Sequence, residues 1–207
     1  VGYIGYDFVR RLEKLPATLQ DPIALPAMNL FLTGSLVIFD HAKRKMLLVT
    51  VQQDEPEARL EEIQEWIREP LPKEWTHPRP AKERANFTAN YTEEEFSAAV
   101  CKAKDYIRSG DVYQVVLSQC TRGEIDVEPF QIYRALRILN PSPYMYYLDF
   151  EDHQLVGSSP EVHCKLTGDQ ALLRPIAGTR PRGATREQDR SLQKELLADE
   201  KERAEHL

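Results

Sequence analysis

Tyr144-Met-Tyr-Tyr-Leu-Asp-Phe150, the polar Glu151-Asp-His153, and then Gln154-Leu-Val-Gly-Ser158 form the stretch in which sheet type can be read. Aromatic and branched apolar residues fill both runs, and three polar residues separate them, as in two strands joined by a tight turn. Residues 162–167 and 171–175 repeat the pattern around Gly168-Asp169, which predicts a four-strand antiparallel meander. Just upstream, Asn140-Pro-Ser-Pro143 ends a helix predicted over Pro129–Leu139.

Further back, Thr92-Glu-Glu-Glu95 is a capping box, with threonine at the N-cap and Glu95 three positions on. Phe96, Val100, Ala103 and Ile107 then share one helix face, and Gly110 supplies the stop. Residues 111–119, nearly continuous in apolar character, are predicted to be a central strand. Nearer the start, residues 36–40 and 45–51 flank the polar His41-Ala-Lys-Arg44 and predict a hairpin. Residues 57–69 carry apolar positions at 60, 63, 66 and 67, a helical spacing that Pro70 and Pro72 end. The stretch 70–84, rich in proline and charge, reads as an exposed connecting segment. A last helix is expected from about residue 187 to the end.

The 207 residues are 42% hydrophobic, enough for a sizeable core in one large domain or two small ones. A net charge of −6 argues against a nucleic-acid surface. No apolar run approaches a membrane span and no signal peptide opens the chain. Cys101, Cys120 and Cys164 are odd in number and lack CxxC spacing, so no disulfide framework or structural zinc is expected and a reducing cytoplasm fits. Val1 opens the chain inside a glycine–tyrosine motif and Leu207 closes it inside a helix, so part of a longer protein is expected.

The chemistry concentrates toward the end. Pro175-Ile-Ala-Gly-Thr-Arg-Pro-Arg-Gly183 combines backbone flexibility, a hydroxyl and cations, and Asp199-Glu-Lys-Glu-Arg-Ala-Glu-His206 sets carboxylates at helical spacing. Cations beside carboxylates suit a magnesium-bound, multiply charged anion. The plainer reading is an ordinary loop and a solvated helix face.

Six ordered blocks together resemble the chorismate-utilising enzymes. They are Gly2-Tyr-Ile-Gly-Tyr-Asp7 with Arg10, Glu13, Leu15 and Pro16; residues 110–119; Asn140-Pro-Ser-Pro-Tyr-Met145; Gly157-Ser-Ser-Pro-Glu161; residues 175–183; and residues 199–206. The resemblance covers nearly the whole chain and implies an α+β fold of large antiparallel sheets wrapped by helices, with residues 1–207 belonging to one catalytic domain. It implies Mg2+ as cofactor and chorismate as substrate. In the anthranilate-forming branch, which these blocks resemble most, ammonia from a glutamine amidotransferase partner adds to the ring and pyruvate leaves, on the way to tryptophan. Alternatives are the branch that makes the folate precursor aminodeoxychorismate, and a non-catalytic acidic interaction domain.

Residue by residue, the resemblance makes Glu161 the general acid that protonates the leaving hydroxyl, a task that suits a carboxyl of raised pKa. A turn glutamate after proline is the plainer reading. Thr179 joins Glu161 as a catalytic candidate, and Gly178, Thr179 and Gln114 are the substrate-binding candidates. Glu202 and Glu205, at i and i+3 on one helix face, are the Mg2+ ligands, Glu205 foremost; the stripe Glu195, Asp199 and Glu202 also reads as a solvated face. His206 is expected to be structural. Arg180 and Arg182 either draw in the dianion or pin the loop to its own helix. Ala177 stands where aminodeoxychorismate-forming relatives often carry a nucleophilic lysine, and Gln114 where water-adding relatives carry a lysine base. Ala177 thus favours the anthranilate branch, and Gln114 favours ammonia over water as the nucleophile. Pro143, Tyr144 and Met145 resemble half of a tryptophan feedback site; a helix stop followed by core strand residues is the other reading.

Overall fold

The computed structural model describes residues 1–16, 21–76, 85–176 and 178–206, without the side chains of Glu74, Glu205 and His206. The chain divides into two compact units, Val1–Pro78 and Arg79–Leu207.

In the first unit β1 (Gly2–Ile4) pairs antiparallel with β2 (Met28–Leu30), with a 3-10 helix, Tyr6–Arg11, after β1. Arg10 organises the turn that follows. Its Nε donates to Asp7 Oδ1 at 2.7 Å and its Nη1 donates to the carbonyls of Leu15 and Pro16, which ties together the spaced residues of the first block. β3 (Ser35–Asp40) and β4 (Lys45–Thr50) form the predicted hairpin, in register from Ser35 opposite Thr50 to Asp40 opposite Lys45. α1 (Pro56–Arg68) starts on a proline and packs against β4, as its apolar spacing predicts. Trp66 and Ile67 are the exceptions on that face, 52% and 42% exposed, and Trp66 carries the Arg59 guanidinium 4.8 Å above its ring. α2 (Lys73–Thr76) is a single turn inside the expected connecting segment, most of whose remainder, residues 77–84, lies outside the described residues.

In the second unit β5 (Thr88–Ala89) precedes α3 (Glu93–Ser109), and the capping box forms as read. Glu95 N donates to Thr92 Oγ1 at 3.2 Å and Thr92 N donates to Glu95 Oε2 at 2.9 Å. Gly110 closes the helix in the left-handed region at φ 80°, a conformation that favours a residue without Cβ. The predicted strand 111–119 does not form. Among the described residues no strand ladders with it, and Tyr113 and Val116 stand 93% and 84% exposed. Only β6 (Thr121–Arg122), just beyond, pairs with β5. Apolar character makes a strand possible, but a neighbouring backbone is needed to satisfy its N–H and C=O groups.

α4 (Pro129–Leu139) matches its predicted limits and lies on the hairpin of β7 (Tyr144–Asp149) and β8 (Gln154–Ser159). Phe130 meets the Tyr147 ring edge-on at 5.3 Å and Tyr133 lies 6.4 Å from the same ring. Tyr146 is opposite Gly157, and its ring fills the place of the missing side chain. β9 (Lys165–Thr167) pairs with β10 (Gln170–Leu172), but β8 and β9 are not neighbours, so the meander is two separate hairpins. Pro160, without an N–H, follows β8, and Glu161 bonds to Ile176 instead of to a ladder. The final helix is also two: α5 (Arg186–Ala198) and α6 (Glu200–His206), divided at Asp199.

The α+β class with antiparallel pairing holds, as five two-stranded ladders among the described residues. The expected sizeable core does not. Ile63, 4% exposed, is the one buried apolar side chain among the described residues. A two-stranded ladder has two faces, and one helix covers at most one of them. Phe39 and Leu166 consequently remain 64% and 70% exposed. Among the described residues no helix is long and apolar enough to cross a membrane.

Candidate active site

Glu161 leaves β8 through a serine turn. The Ser159 hydroxyl accepts from Glu161 N at 3.3 Å and donates to Glu161 O at 3.1 Å, which fixes the backbone after Pro160. Glu161 is exposed, yet its Oε1 accepts from Ile176 N at 3.2 Å, so its carboxyl is tied to the start of the 175–183 loop. An open cleft of about 440 Å³ lies here, lined by Ser159, Glu161, His163, Leu173 and Arg174 among others.

The far end of the same loop meets the acidic helices. A Cβ built on Gly178 would overlap the Glu202 carboxylate, so loop backbone and helix side chain are in direct contact. Arg180 faces three carboxylates: Nε donates to Glu195 Oε1 at 2.9 Å, Nη2 donates to Asp199 Oδ2 at 2.8 Å, and Nη1 lies 3.8 Å from Glu202 Oε1. Nη1 also donates to Thr179 O at 3.1 Å, which bends the loop back on itself. Asp199 Oδ1 accepts from Lys201 N at 3.0 Å and Glu202 N at 3.2 Å, the N-cap of α6. These bonds, the Glu202 amide first and then Arg180, hold the Asp199 carboxyl below its ordinary pKa. Arg182 makes a two-pronged pair with Asp189 at 2.8 and 2.7 Å, and Gly183 N donates to the same carboxylate. That arrangement depresses the Asp189 pKa, Arg182 contributing most.

Of the two readings of the arginines, pinning the loop is the observed one. The stripe of Glu195, Asp199 and Glu202 is correspondingly an ion-paired surface gathered around Arg180, with Glu202 only 15% exposed. Three predicted residues meet this loop: Glu161 is bonded to Ile176, and Gly178 touches Glu202. Thr179 is exposed on that loop. Gln114 is carried by the irregular segment 111–119, where it is exposed, and is not one of the residues these contacts join. Ala177 and the side chains of Glu205 and His206 lie outside the described residues. Pro143 leads into β7, where Tyr144 is opposite Ser159 and Met145 opposite Ser158, whose hydroxyl donates to Asn140 O at 2.9 Å.

Among the described residues no group of three or more His, Cys, Asp or Glu side chains could hold a metal ion. Of the two predicted metal ligands Glu202 is the one whose side chain is described, and Mg2+ takes one or two carboxylates and fills its shell with water and substrate oxygens. Sequence reasoning missed the three-way role of Arg180 and the cap at Asp199. The cap was detectable: Asp199-x-x-Glu202 has the spacing of an N-terminal helix signature.

Known proteins place these features in a family. A protein named anthranilate synthase component 1 from Thermus thermophilus is 46% identical over 209 residues, covering 100% of this chain and 45% of its own length. A protein named aminodeoxychorismate synthase component 1 from Bacillus subtilis is 38% identical over 212 residues, again covering 100% of this chain and 45% of its own. The crystal structure of anthranilate synthase component I from Streptococcus pneumoniae TIGR4 superposes with a TM-score of 0.86 at 34% identity, over 100% of this chain and 46% of that one. The chain thus spans about half the length of the relatives it matches. The chorismate binding enzyme family matches residues 1–207 without remainder, and the chain belongs to that family.

Proposed function

We propose that the whole protein is the catalytic component of an anthranilate synthase, and that residues 1–207 form part of its single chorismate-binding domain, with 70–84 as an exposed connection. Chorismate and ammonia would give anthranilate, pyruvate and water. The observation that carries this reading is that Glu161 is bonded to Ile176 N and the Glu202 carboxylate touches Gly178, two residues along the same loop. A proton donor and a carboxylate that would hold Mg2+ are thereby tied to one loop, as a reaction on a dicarboxylate ring requires.

Glu161 protonates the departing ring hydroxyl, a poor leaving group as hydroxide. Gly178 N–H and the Thr179 hydroxyl are donors for a substrate carboxylate or ring oxygen, and Gln114 orients substrate without acting as a base. Glu202 and Glu205 would hold Mg2+, which supplies positive charge for the substrate carboxylates when bound. An amidotransferase subunit provides ammonia from glutamine, tryptophan binds beside Pro143, Tyr144 and Met145 as feedback inhibitor, and the cytoplasm is the setting. The similarity to the Bacillus subtilis protein favours aminodeoxychorismate formation as a second reading; Ala177, unable to act as a nucleophile, speaks against it.

The test is turnover of chorismate by the whole protein with ammonia and Mg2+, followed by anthranilate fluorescence and product chromatography. Anthranilate and pyruvate in equal amounts are expected. Accumulation of aminodeoxychorismate without pyruvate would transfer the reading to the second branch, and unconsumed chorismate would overturn both.

A further inference from the structure

Arg180 is the most connected side chain among the described residues of this site, and no role in the proposed chemistry accounts for it. Its guanidinium reaches Glu195 in the last turn of α5, Asp199 at the helix junction and Glu202 in the first turn of α6. We infer that Arg180 is a positioning residue for Glu202, holding the start of α6 against Gly178 and so setting where the Glu202 carboxylate stands. The inference rests on the proposed role of Glu202 at the chorismate site.

The division of labour among the atoms supports it. Asp199 splits its carboxylate, one oxygen capping α6 and the other accepting from Arg180, so displacing the arginine loosens the cap. The Glu202 pair, at 3.8 Å, is longer than a hydrogen bond. Glu202 is therefore drawn toward Arg180 without its oxygens being consumed by it. Lys201 also approaches Glu202, at 4.0 Å, but is 80% exposed, where such a pair contributes little. A planar fork with donors on separate edges can address three carboxylates at once, whereas lysine offers a single point charge. Without the cation, three carboxylates would face one another and spread apart. Arg182 does not share this role: its pair with Asp189 joins the loop to α5, and it is 89% exposed.

The experiment uses the whole protein with R180Q, R180K, R182Q and E202Q. Mg2+ binding is measured by calorimetry with chorismate but no ammonia, beside thermal melts and steady-state rates. R180Q should weaken Mg2+ binding by about 10- to 100-fold, the usual cost of losing a group that orients a ligand. R180K should recover only part of that, and R182Q should leave binding unchanged. Unchanged Mg2+ affinity in R180Q overturns the inference whatever happens to its melting temperature, because a merely structural clamp would lower stability alone. If R180Q does not fold, the same criterion applies to R180K. E202Q separates the two levels: wild-type Mg2+ binding and turnover in E202Q would refute the role of Glu202 itself. Loss in E202Q with wild-type behaviour in R180Q would refute the positioning role only.

Discussion

A methyl group added at Gly178 would fall on Oε2, Cδ and Oε1 of Glu202, all at the free end of one side chain, with no backbone among its nearest atoms. Non-bonded contact wants about 3.5 Å between such atoms. In Gly178→Ala the carboxylate must therefore retreat by more than about an ångström, and a displacement of that size costs on the order of 10²-fold in rate, or about 2.7 kcal/mol of barrier. Stability should move differently. Replacing glycine by alanine also restricts the unfolded chain, which stabilises by about 0.4–1 kcal/mol where the backbone accepts alanine. The Arg180–Glu202 pair is weakened at the same time, which acts in the opposite direction. The expected result is a melting temperature within a few degrees of wild type together with a hundredfold lower kcat/KM for chorismate. Steady-state anthranilate fluorescence and a thermal melt on the same preparation measure both. Wild-type turnover would show that the position of Glu202 is immaterial, and a rate loss matched by a large drop in melting temperature would show that the loop is merely structural.

Gly183→Ala should behave oppositely, because its methyl would strike the backbone of Gln188 and Asp189; about 1–3 kcal/mol of destabilisation is expected from chemical denaturation, and a neutral result would mean that the loop–α5 join is pliable. Glu161→Gln should bind chorismate normally, by calorimetry, and lose turnover by on the order of 10²-fold or more; retained turnover with lowered stability would make Glu161 a structural turn residue. Asp199 has its pKa depressed in the fold, so its contribution is complete above the unfolded carboxylate value of about 3.9 and disappears as pH falls through the folded value. Melting temperatures of wild type and Asp199→Asn should differ at neutral pH and converge in acid; a gap that stays constant would assign the effect to something other than ionisation.

The capping box at Thr92, the helix over Pro129–Leu139 and the hairpin around residues 41–44 could all be read from the chain, because each rests on contacts within a few residues. Ordered motif blocks likewise disclosed the family, since residue types at fixed spacing need no coordinates. Glu161, Gly178 and Glu202 were named on that basis, but only as separate points. Their meeting at Ile176 and Gly178 joins positions up to 41 apart, and it depends on Ile176 N finding a carboxylate in place of a ladder partner. Segment 111–119 shows the same limit from the other side: it has strand composition and no strand, because pairing belongs to the partner as much as to the sequence. The break at Asp199 was half visible in the capping pattern of α6. What local pattern could not show was that Arg180, 19 residues upstream, claims the other oxygen of that carboxylate. Helices, turns and the identities of reactive groups are set by short-range sterics and hydrogen bonding, which sequence spells out. Which carboxylate faces which arginine is set by how the chain returns on itself, and only the tertiary structure decides that.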